Sequence, residues 1–185
     1  MTLGDQFEDA LEAARRGSDW ALGALYRDLQ PKVLRYLRAQ EPREAEDLAS
    51  EAWLDVASAL HRFRGGEDDF RRWVFTIARR RLLDFRRQRG RRRTDPAPVE
   101  TLASRLPSGD VEAEAMANLS AEGAIACIAA LPPAQAEVLL LRVLGGLSVK
   151  EVADIIGKRP GTVRVIQHRA LARLAVELSR EVVTP

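Results

Sequence analysis

The sequence predicts an all-α protein made of two small helical domains joined by a flexible acidic linker. Apolar residues recur at helical spacing through most of the chain, and no segment alternates convincingly with the period of two that strands require. Aromatic residues make up 5% of a chain whose hydrophobic content is 46%, so the cores are expected to consist mainly of Leu, Ala and Val. A chain of 185 residues is long enough for one or two such domains.

The first domain is assigned to residues 1–93 and begins with three amphipathic segments. A helix is expected over 5–16, and a second starts at about residue 18, with Pro31 restarting its apolar pattern. A longer helix is expected from 44 to about 62, and its early turns are acidic, which complements the helix dipole. This acidic face is either simply solvated or a docking surface for a basic partner.

Residues 63–69 are expected to form a loop, and the segment after them is rich in arginine. Residues 71–93 contain eleven arginines against one acid, Asp84. A run of one charge at this density is typical of an interaction surface, and phosphate is the obvious counter-charge for arginine. Aromatic residues are interleaved with these arginines, and most of them belong to the core. Phe75 lies about 140° around the helix from Phe70, which favours stacking on an unpaired base.

Residues 94–120 differ in composition and are assigned to the linker. They contain three prolines, a Ser-Gly pair and five acids against one arginine. Such residues are typical of loops and tethers, and the net charge is opposite to that of the preceding segment. The second domain is assigned to residues 121–185. It is expected to contain a helix over about 121–130 and another that opens at Pro132 or Pro133.

The second domain ends in a predicted helix-turn-helix over 147–178. Ser148 and Glu151 form a capping box at the start of one helix, Gly157 ends it, and Pro160 suits the first turn of the next. The second helix of such a motif can contact DNA in the major groove, and the alternative is the solvated face of an ordinary helical hairpin. The candidate DNA-contacting residues are Arg159, Thr162, Arg164, Val165, His168 and Arg169.

Composition argues against several other classes of protein. No run of about 18 apolar residues predicts a membrane span, and the N-terminus lacks the features of a signal peptide, so a cytoplasmic location is expected. Cys127 is the single cysteine, which excludes an internal disulfide and a Cys-rich zinc site. His61 and His168 have no ligand partners at zinc spacing. Neither a metal nor a cofactor is therefore expected.

Four stretches of the chain follow one another in an order that a known family shares. They are the acidic helix over 46–53, the loop and Arg/aromatic helix over 63–79, the Leu-Pro-Pro at 131–133, and the second helix of the helix-turn-helix over 161–170. With these stretches the chain resembles the extracytoplasmic-function (ECF) group of bacterial sigma-70-type initiation factors. They look like region 2.2, region 2.3/2.4 and two parts of region 4. The chain departs from the family pattern at Ser50, where Gln is common, and at Arg80, where many relatives have Asn.

The resemblance implies a transcription initiation factor rather than an enzyme. Such a factor binds core RNA polymerase and directs it to specific promoters, reading −35 and −10 elements and promoting strand opening. The implied partners are the β′ clamp helices and the β flap of the polymerase, promoter DNA and an anti-sigma factor. The six candidate residues of the helix-turn-helix would read the −35 element. The residues implied in −10 recognition are Phe63, Arg72, Trp73, Phe75, Thr76, Arg79, Arg80 and Arg87. The residues implied in polymerase binding are Glu46, Asp47, Leu48, Ser50, Glu51 and Trp53.

Two other classes of function are the alternatives. A repressor or activator with an N-terminal sensing domain needs a ligand pocket, whereas the strongest positive charge here lies in the N-terminal half. A recombinase or nuclease needs a nucleophilic Ser or Tyr beside arginines, or clustered carboxylates for a metal. Tyr26 and Tyr36 instead fall in apolar helical patterns. Co-purification with core polymerase separates the three classes.

Overall fold

The computed structural model of the chain describes residues 3–92 and 114–183. Within these ranges the regular secondary structure is entirely helical, which confirms the predicted all-α fold. None of the helices in these ranges has the length and apolar character needed to cross a membrane. The α-helices are α1 (Phe7–Arg15), α2 (Asp19–Arg38), α3 (Ala45–Ala59), α4 (Glu67–Arg92), α5 (Glu114–Ala129), α6 (Pro133–Val143), α7 (Val149–Ile156) and α8 (Pro160–Val183). Short 3₁₀ helices lie at Gly4–Gln6 and Leu60–Arg62.

The helices pack as two groups, α1 to α4 and α5 to α8, in agreement with two helical domains. In the first group α2 and α3 contact each other and both contact α4. Aromatic rings join these helices, with the Phe70 ring centroid 5.7 Å from that of Phe7 and 5.5 Å from that of Phe63. In the second group α8 packs against both α6 and α7. The buried apolar residues of the two groups form one continuous cluster.

The prediction that Pro31 interrupts the second helix is wrong, because α2 runs unbroken through it. Proline removes a backbone hydrogen bond and normally kinks or ends a helix. Here Leu25 and Leu29 before the proline and Val33 and Leu37 after it are all buried on the same core. Packing of this shared apolar face offsets the lost hydrogen bond, since tertiary burial supplies most of the stability of a helix in a protein.

The predicted loop over 63–69 is shorter than expected, because α4 already begins at Glu67. The three acidic residues of the predicted loop occupy the first turn of α4, because negative charge is favourable next to a helix N-terminus. They also pair with arginines one turn later, as in the 2.9 Å contact between Glu67 Oε1 and Arg71 Nη2. The turn before the helix depends on Gly65, which has a φ of 139°. A Cβ added to Gly65 would lie 2.7 Å from the Asp69 Cβ, so a larger residue does not fit there.

Helix α5 begins at Glu114 and therefore starts inside the range assigned to the linker. Residues 114–120 include Glu, Met, Leu and two Ala, which are good helix formers. The prolines, the Ser-Gly pair and the acids of 94–120 as a whole placed them with the linker in the sequence. The remainder of that assignment, residues 94–113, lies outside the described residues.

The helix-turn-helix forms as predicted. The Glu151 N–H donates to Ser148 Oγ at 3.2 Å, and the Ser148 N–H donates to Glu151 Oε2 at 2.7 Å, so both bonds of the capping box are present. Gly157 ends α7 with a φ of 67°, a left-handed conformation that favours glycine. Val152 on α7 and Val163 on α8 are fully buried and hold the two helices together.

The capping box predicts a specific loss of stability in acid. Burial tends to raise the pKa of Glu151, but the hydrogen bonds to Ser148 and the positive charges of Arg72 and Arg71 lower it overall. A lowered pKa stabilises the fold above the carboxyl group's ordinary value of 4.5, and this stability is lost as pH falls through the folded-state pKa. Ser148→Ala is expected to cost about 1 kcal/mol at neutral pH by urea denaturation. The difference between wild type and Ser148→Ala should shrink below the ordinary pKa of glutamate, and a constant difference would contradict this role of Glu151.

Candidate DNA- and polymerase-binding surfaces

The outward face of α8 near its N-terminal end is exposed to solvent. Val163 and Ala170 of this helix are fully buried against the second domain, and Ile166 packs partly against the same core. The side chains on the opposite side of the helix point away from this core. Val165 lies among them, and its side chain is half exposed although it is apolar. All six candidate −35 residues, Arg159, Thr162, Arg164, Val165, His168 and Arg169, are exposed. This face therefore presents three arginines, a histidine and a threonine hydroxyl to solvent, while the opposite face of α8 is packed against the second domain.

A groove of about 610 Å³ lies between the 3₁₀ turn Leu60–Arg62, the Phe63 loop and the first half of α4. Its aromatic wall is the stacked pair Phe63 and Trp73, whose ring centroids are 5.0 Å apart at an interplanar angle of 27°. The loop is held in place by guanidinium groups, since Arg15 Nη2 and Arg64 Nη1 each donate to the Phe63 carbonyl oxygen at 2.7 Å. The lining residues are Arg62, Phe63, Arg64, Asp69, Arg72, Trp73, Thr76, Asp154 and Ile155.

This groove contains four of the predicted −10 residues and five that the sequence reasoning missed. Phe63, Arg72, Trp73 and Thr76 were predicted; the residues that were not predicted are Arg62, Arg64, Asp69, Asp154 and Ile155. The signal for the two arginines was present in the sequence, because they flank an aromatic residue in a short turn. Phe63 is itself buried, so the expectation that it contacts DNA is corrected to a role in supporting Trp73. Trp73 is only partly buried, and an aromatic ring beside guanidinium groups can bind an unpaired nucleotide by stacking and charge.

The remaining predicted −10 arginines differ in how accessible they are. Arg80 and Arg87 are well exposed, with 81% and 68% of their side chains accessible, and both lie near Asp84. Arg79 is instead 18% exposed and paired with Glu137 of the second domain. Arg81, which was not predicted, is bound through two nitrogens to the Asp55 carboxylate at 2.6 and 2.5 Å. Hydrogen bonding to Asp55 raises the pKa of Arg81.

The interpretation of Phe75 as a base-stacking residue is wrong for this structure. Phe75 is fully buried, and its ring meets that of Tyr36 edge to face at a centroid distance of 5.6 Å. Helix α4 is covered by α2 as well as by α3, so its buried face is wider than the single apolar stripe that the spacing indicated. Phe75 is therefore a core residue.

The acidic surface of α3 is exposed, but two of its predicted contact residues are not. Glu46, Asp47, Ser50 and Glu51 are exposed, and Glu46 pairs with Arg38 at 2.5 Å. Leu48 and Trp53 are buried, so the expectation that they contact a partner is corrected to a role in the core. Trp53 also donates from Nε1 to Gln30 Oε1 at 2.6 Å.

Sequence reasoning missed the apolar residue that this acidic surface does expose. Leu54 is 70% exposed on α3. Leu54 falls outside the apolar stripe of the helix, and this position in the sequence could have indicated that it is exposed. Exposed Leu54 next to the carboxylates of α3 gives this surface both charge and apolar area for a partner.

Comparison with known proteins identifies the family of the chain. Residues 25–92 match the family Sigma-70 region 2, and residues 122–174 match the family Sigma-70, region 4. The chain is 36% identical to the ECF RNA polymerase sigma factor SigD of Mycobacterium tuberculosis, over 96% of this chain and 87% of that protein. It is 37% identical to the ECF RNA polymerase sigma factor ShbA of Streptomyces griseus, over 87% of this chain and 89% of that protein.

A solved structure shares the fold. The sigma factor RpoE of Bartonella quintana, in complex with the anti-sigma factor NepR, superimposes with a TM-score of 0.59 at 22% identity, over 94% of each chain. The two family matches and the relatives of similar length together make the assignment: the chain belongs to the ECF sigma factors of the sigma-70 family, which are not enzymes and direct RNA polymerase to promoters.

Proposed function

We propose that this sigma factor uses separate surfaces for promoter DNA and for core RNA polymerase to start transcription in the cytoplasm. The outward face of α8 reads the −35 element in the major groove. The groove lined by Phe63 and Trp73, extended by the exposed arginines of α4, binds the −10 element and holds it open. The acidic surface of α3 docks on the β′ clamp helices of core RNA polymerase, and the second domain contacts the β flap.

The observation that carries this proposal is the Phe63–Trp73 groove with its ring of guanidinium groups. The partly buried Trp73 ring, backed by the buried Phe63 ring at a centroid distance of 5.0 Å, offers a stacking face of the kind that every base can use. Arg62, Arg64 and Arg72 surround it and can neutralise the phosphates of a single strand. Double-stranded DNA has no unstacked base to insert, so such a groove favours a melted strand over a duplex.

Polymerase docking is supported by the charge and exposure of α3. Its exposed carboxylates suit a basic partner, and Leu54 adds apolar contact area. An anti-sigma factor is a further proposed partner, on the ground that the related fold of RpoE is found in complex with one. Co-purification with core RNA polymerase tests the docking proposal. A double variant with Leu54→Asp and Glu51→Lys should bind the polymerase more weakly and co-purify in smaller amount.

The proposal predicts two distinguishable outcomes for Arg164→Ala. If Arg164 reads a base edge, holoenzyme binding should weaken by about 1–3 kcal/mol and preference should relax at one or two −35 positions. If Arg164 contacts only phosphate, affinity should fall evenly across sequences and the salt slope should fall by about one unit. Binding to a panel of −35 mutants at several salt concentrations separates these cases. An unchanged sequence preference together with an unchanged salt dependence would contradict the assignment of α8.

A further inference from the structure

Besides the apolar cluster that both domains share, a partly buried arginine of α4 links the first domain to the second in this structure. Arg79 Nε donates to Glu137 Oε1 at 2.9 Å, and Arg79 Nη2 lies 3.5 Å from Glu137 Oε2. Arg79 Nη1 donates to the carbonyl oxygen of Ile155 at 3.1 Å. One guanidinium group of the first domain thus binds α6 and the C-terminal end of α7 at the same time.

This contact is shielded from solvent. The side chains of Arg79 and Glu137 are 18% and 16% exposed. They lie beside Tyr36, which is fully buried and whose pKa is raised by burial first and then by the negative charge of Glu137. An ion pair that is largely removed from water is screened less by salt than a surface pair, and the loss of one partner is correspondingly costly.

The same arrangement places the second domain over the proposed −10 groove. Asp154 and Ile155, at the end of α7, line the groove together with Phe63 and Trp73. The Asp154 carboxylate adds negative charge where a DNA strand would run. Arg71 of α4 also lies close to Gly146 of the second domain, since a Cβ added to Gly146 would be 3.4 Å from Arg71 Nη1. The groove is thus partly covered as long as Arg79 is held by Glu137 and Ile155.

We propose that Arg79, Glu137 and the Ile155 carbonyl form an intramolecular latch that closes the second domain over the −10 groove, so that single-stranded DNA and Glu137 compete for Arg79. This inference rests on the proposed function of that groove. Glu137 mimics the strand by offering an anionic partner to the same guanidinium group. A ligand that binds only the open form has an apparent affinity that is reduced in proportion to the fraction of molecules that are open. By linkage, its binding shifts the chain toward the open form.

The latch is tested by the distance between the domains in solution. Spin labels are attached to Ala57→Cys on α3 and Ala172→Cys on α8, two exposed positions, in a Cys127→Ser background. Double electron–electron resonance then compares the latched chain with Glu137→Gln, which keeps the shape of the side chain and removes its charge. Glu46→Gln is the matched control, because it neutralises an exposed pair within the first domain. Glu137→Gln is expected to add a population at longer distance and Glu46→Gln is not. Equal distance distributions in all three proteins would overturn the latch.

Competition is tested separately by fluorescence anisotropy with a short mixed-sequence single-stranded DNA. Glu137→Gln is expected to bind several-fold more tightly than the latched chain, because Arg79 and the groove are released. Arg79→Gln should open the domains to the same extent as Glu137→Gln. It should nevertheless bind the DNA more weakly than Glu137→Gln does, because it removes the shared arginine. Weaker binding by both variants would show that Glu137 supports the DNA site and would overturn the competition. If no protein of the set binds this DNA, the proposed function of the groove fails, and competition fails with it. The distance measurement still decides whether the two domains are latched.

Discussion

Val163→Asp is expected to unfold the helix-turn-helix and abolish transcription from promoters that depend on the −35 element. Val163 is fully buried where α8 packs on the second domain. An aspartate there would place an unpaired charge in the apolar core, at a cost of about 3–5 kcal/mol. The measurement is urea denaturation followed by circular dichroism, in which the helices of the second domain should melt at lower denaturant. An unchanged denaturation curve would show that this face of α8 is not a core face.

Val165→Asp is the matched control for this prediction. It introduces the same charge two residues away on the same helix, at a side chain that is half exposed. The free energy of unfolding should change by no more than about 0.5 kcal/mol, as is usual for surface positions. Binding to −35 DNA should nevertheless weaken, because the new carboxylate faces phosphates.

Arg80→Glu is expected to reduce strand opening strongly without destabilising the protein. The Arg80 side chain is 81% exposed, and its only recorded ion-pair partner in the described part of the chain is Asp84 at 3.8 Å. A hydrogen bond between charged groups contributes about 1.5–3 kcal/mol, so losing a contact to the strand should lower open-complex formation by roughly tenfold or more. Permanganate footprinting on a cognate promoter measures the opening directly.

Arg16→Glu provides the comparison for Arg80→Glu. Arg16 is a similarly exposed arginine, with 71% of its side chain accessible and a carboxylate, Glu12, at 3.7 Å. The charge change is identical, but Arg16 lies at the end of α1 and outside the proposed DNA surfaces. Equal losses of opening in the two variants would mean that net charge, and not the position of Arg80 on α4, determines the effect.

Much of the fold could be predicted because its signals are local. The capping box of Ser148 and Glu151, the stop at Gly157 and the exposed face of α8 each depend on residues a few positions apart. Periodicity shows which side of a helix is apolar, and for α8 only one side is covered. The outward position of its six candidate residues was accordingly readable from spacing.

The errors arise where burial depends on distant parts of the chain. Phe75 lies outside the main stripe of α4 and is still buried, because α2 covers a second side of that helix. Pro31 is tolerated because residues on both sides of it share one core. Arg79 was assigned to DNA, but its partner Glu137 is 58 residues away in the sequence. Neither charge nor spacing within α4 indicates a contact of that separation.

Run-off transcription with core RNA polymerase, on templates whose −35 and −10 elements are changed independently, tests most directly whether two separate surfaces read the promoter. We expect the wild-type chain to respond to both elements. If Arg164 reads a base edge, Arg164→Ala should relax discrimination at one or two −35 positions and keep its response to −10 changes, whereas Arg80→Glu should weaken opening from the −10 element and keep the response to −35 changes. A chain that supports no run-off with core polymerase, or two variants with the same altered response to both elements, would contradict the assignment of −35 reading to α8 and −10 opening to α4.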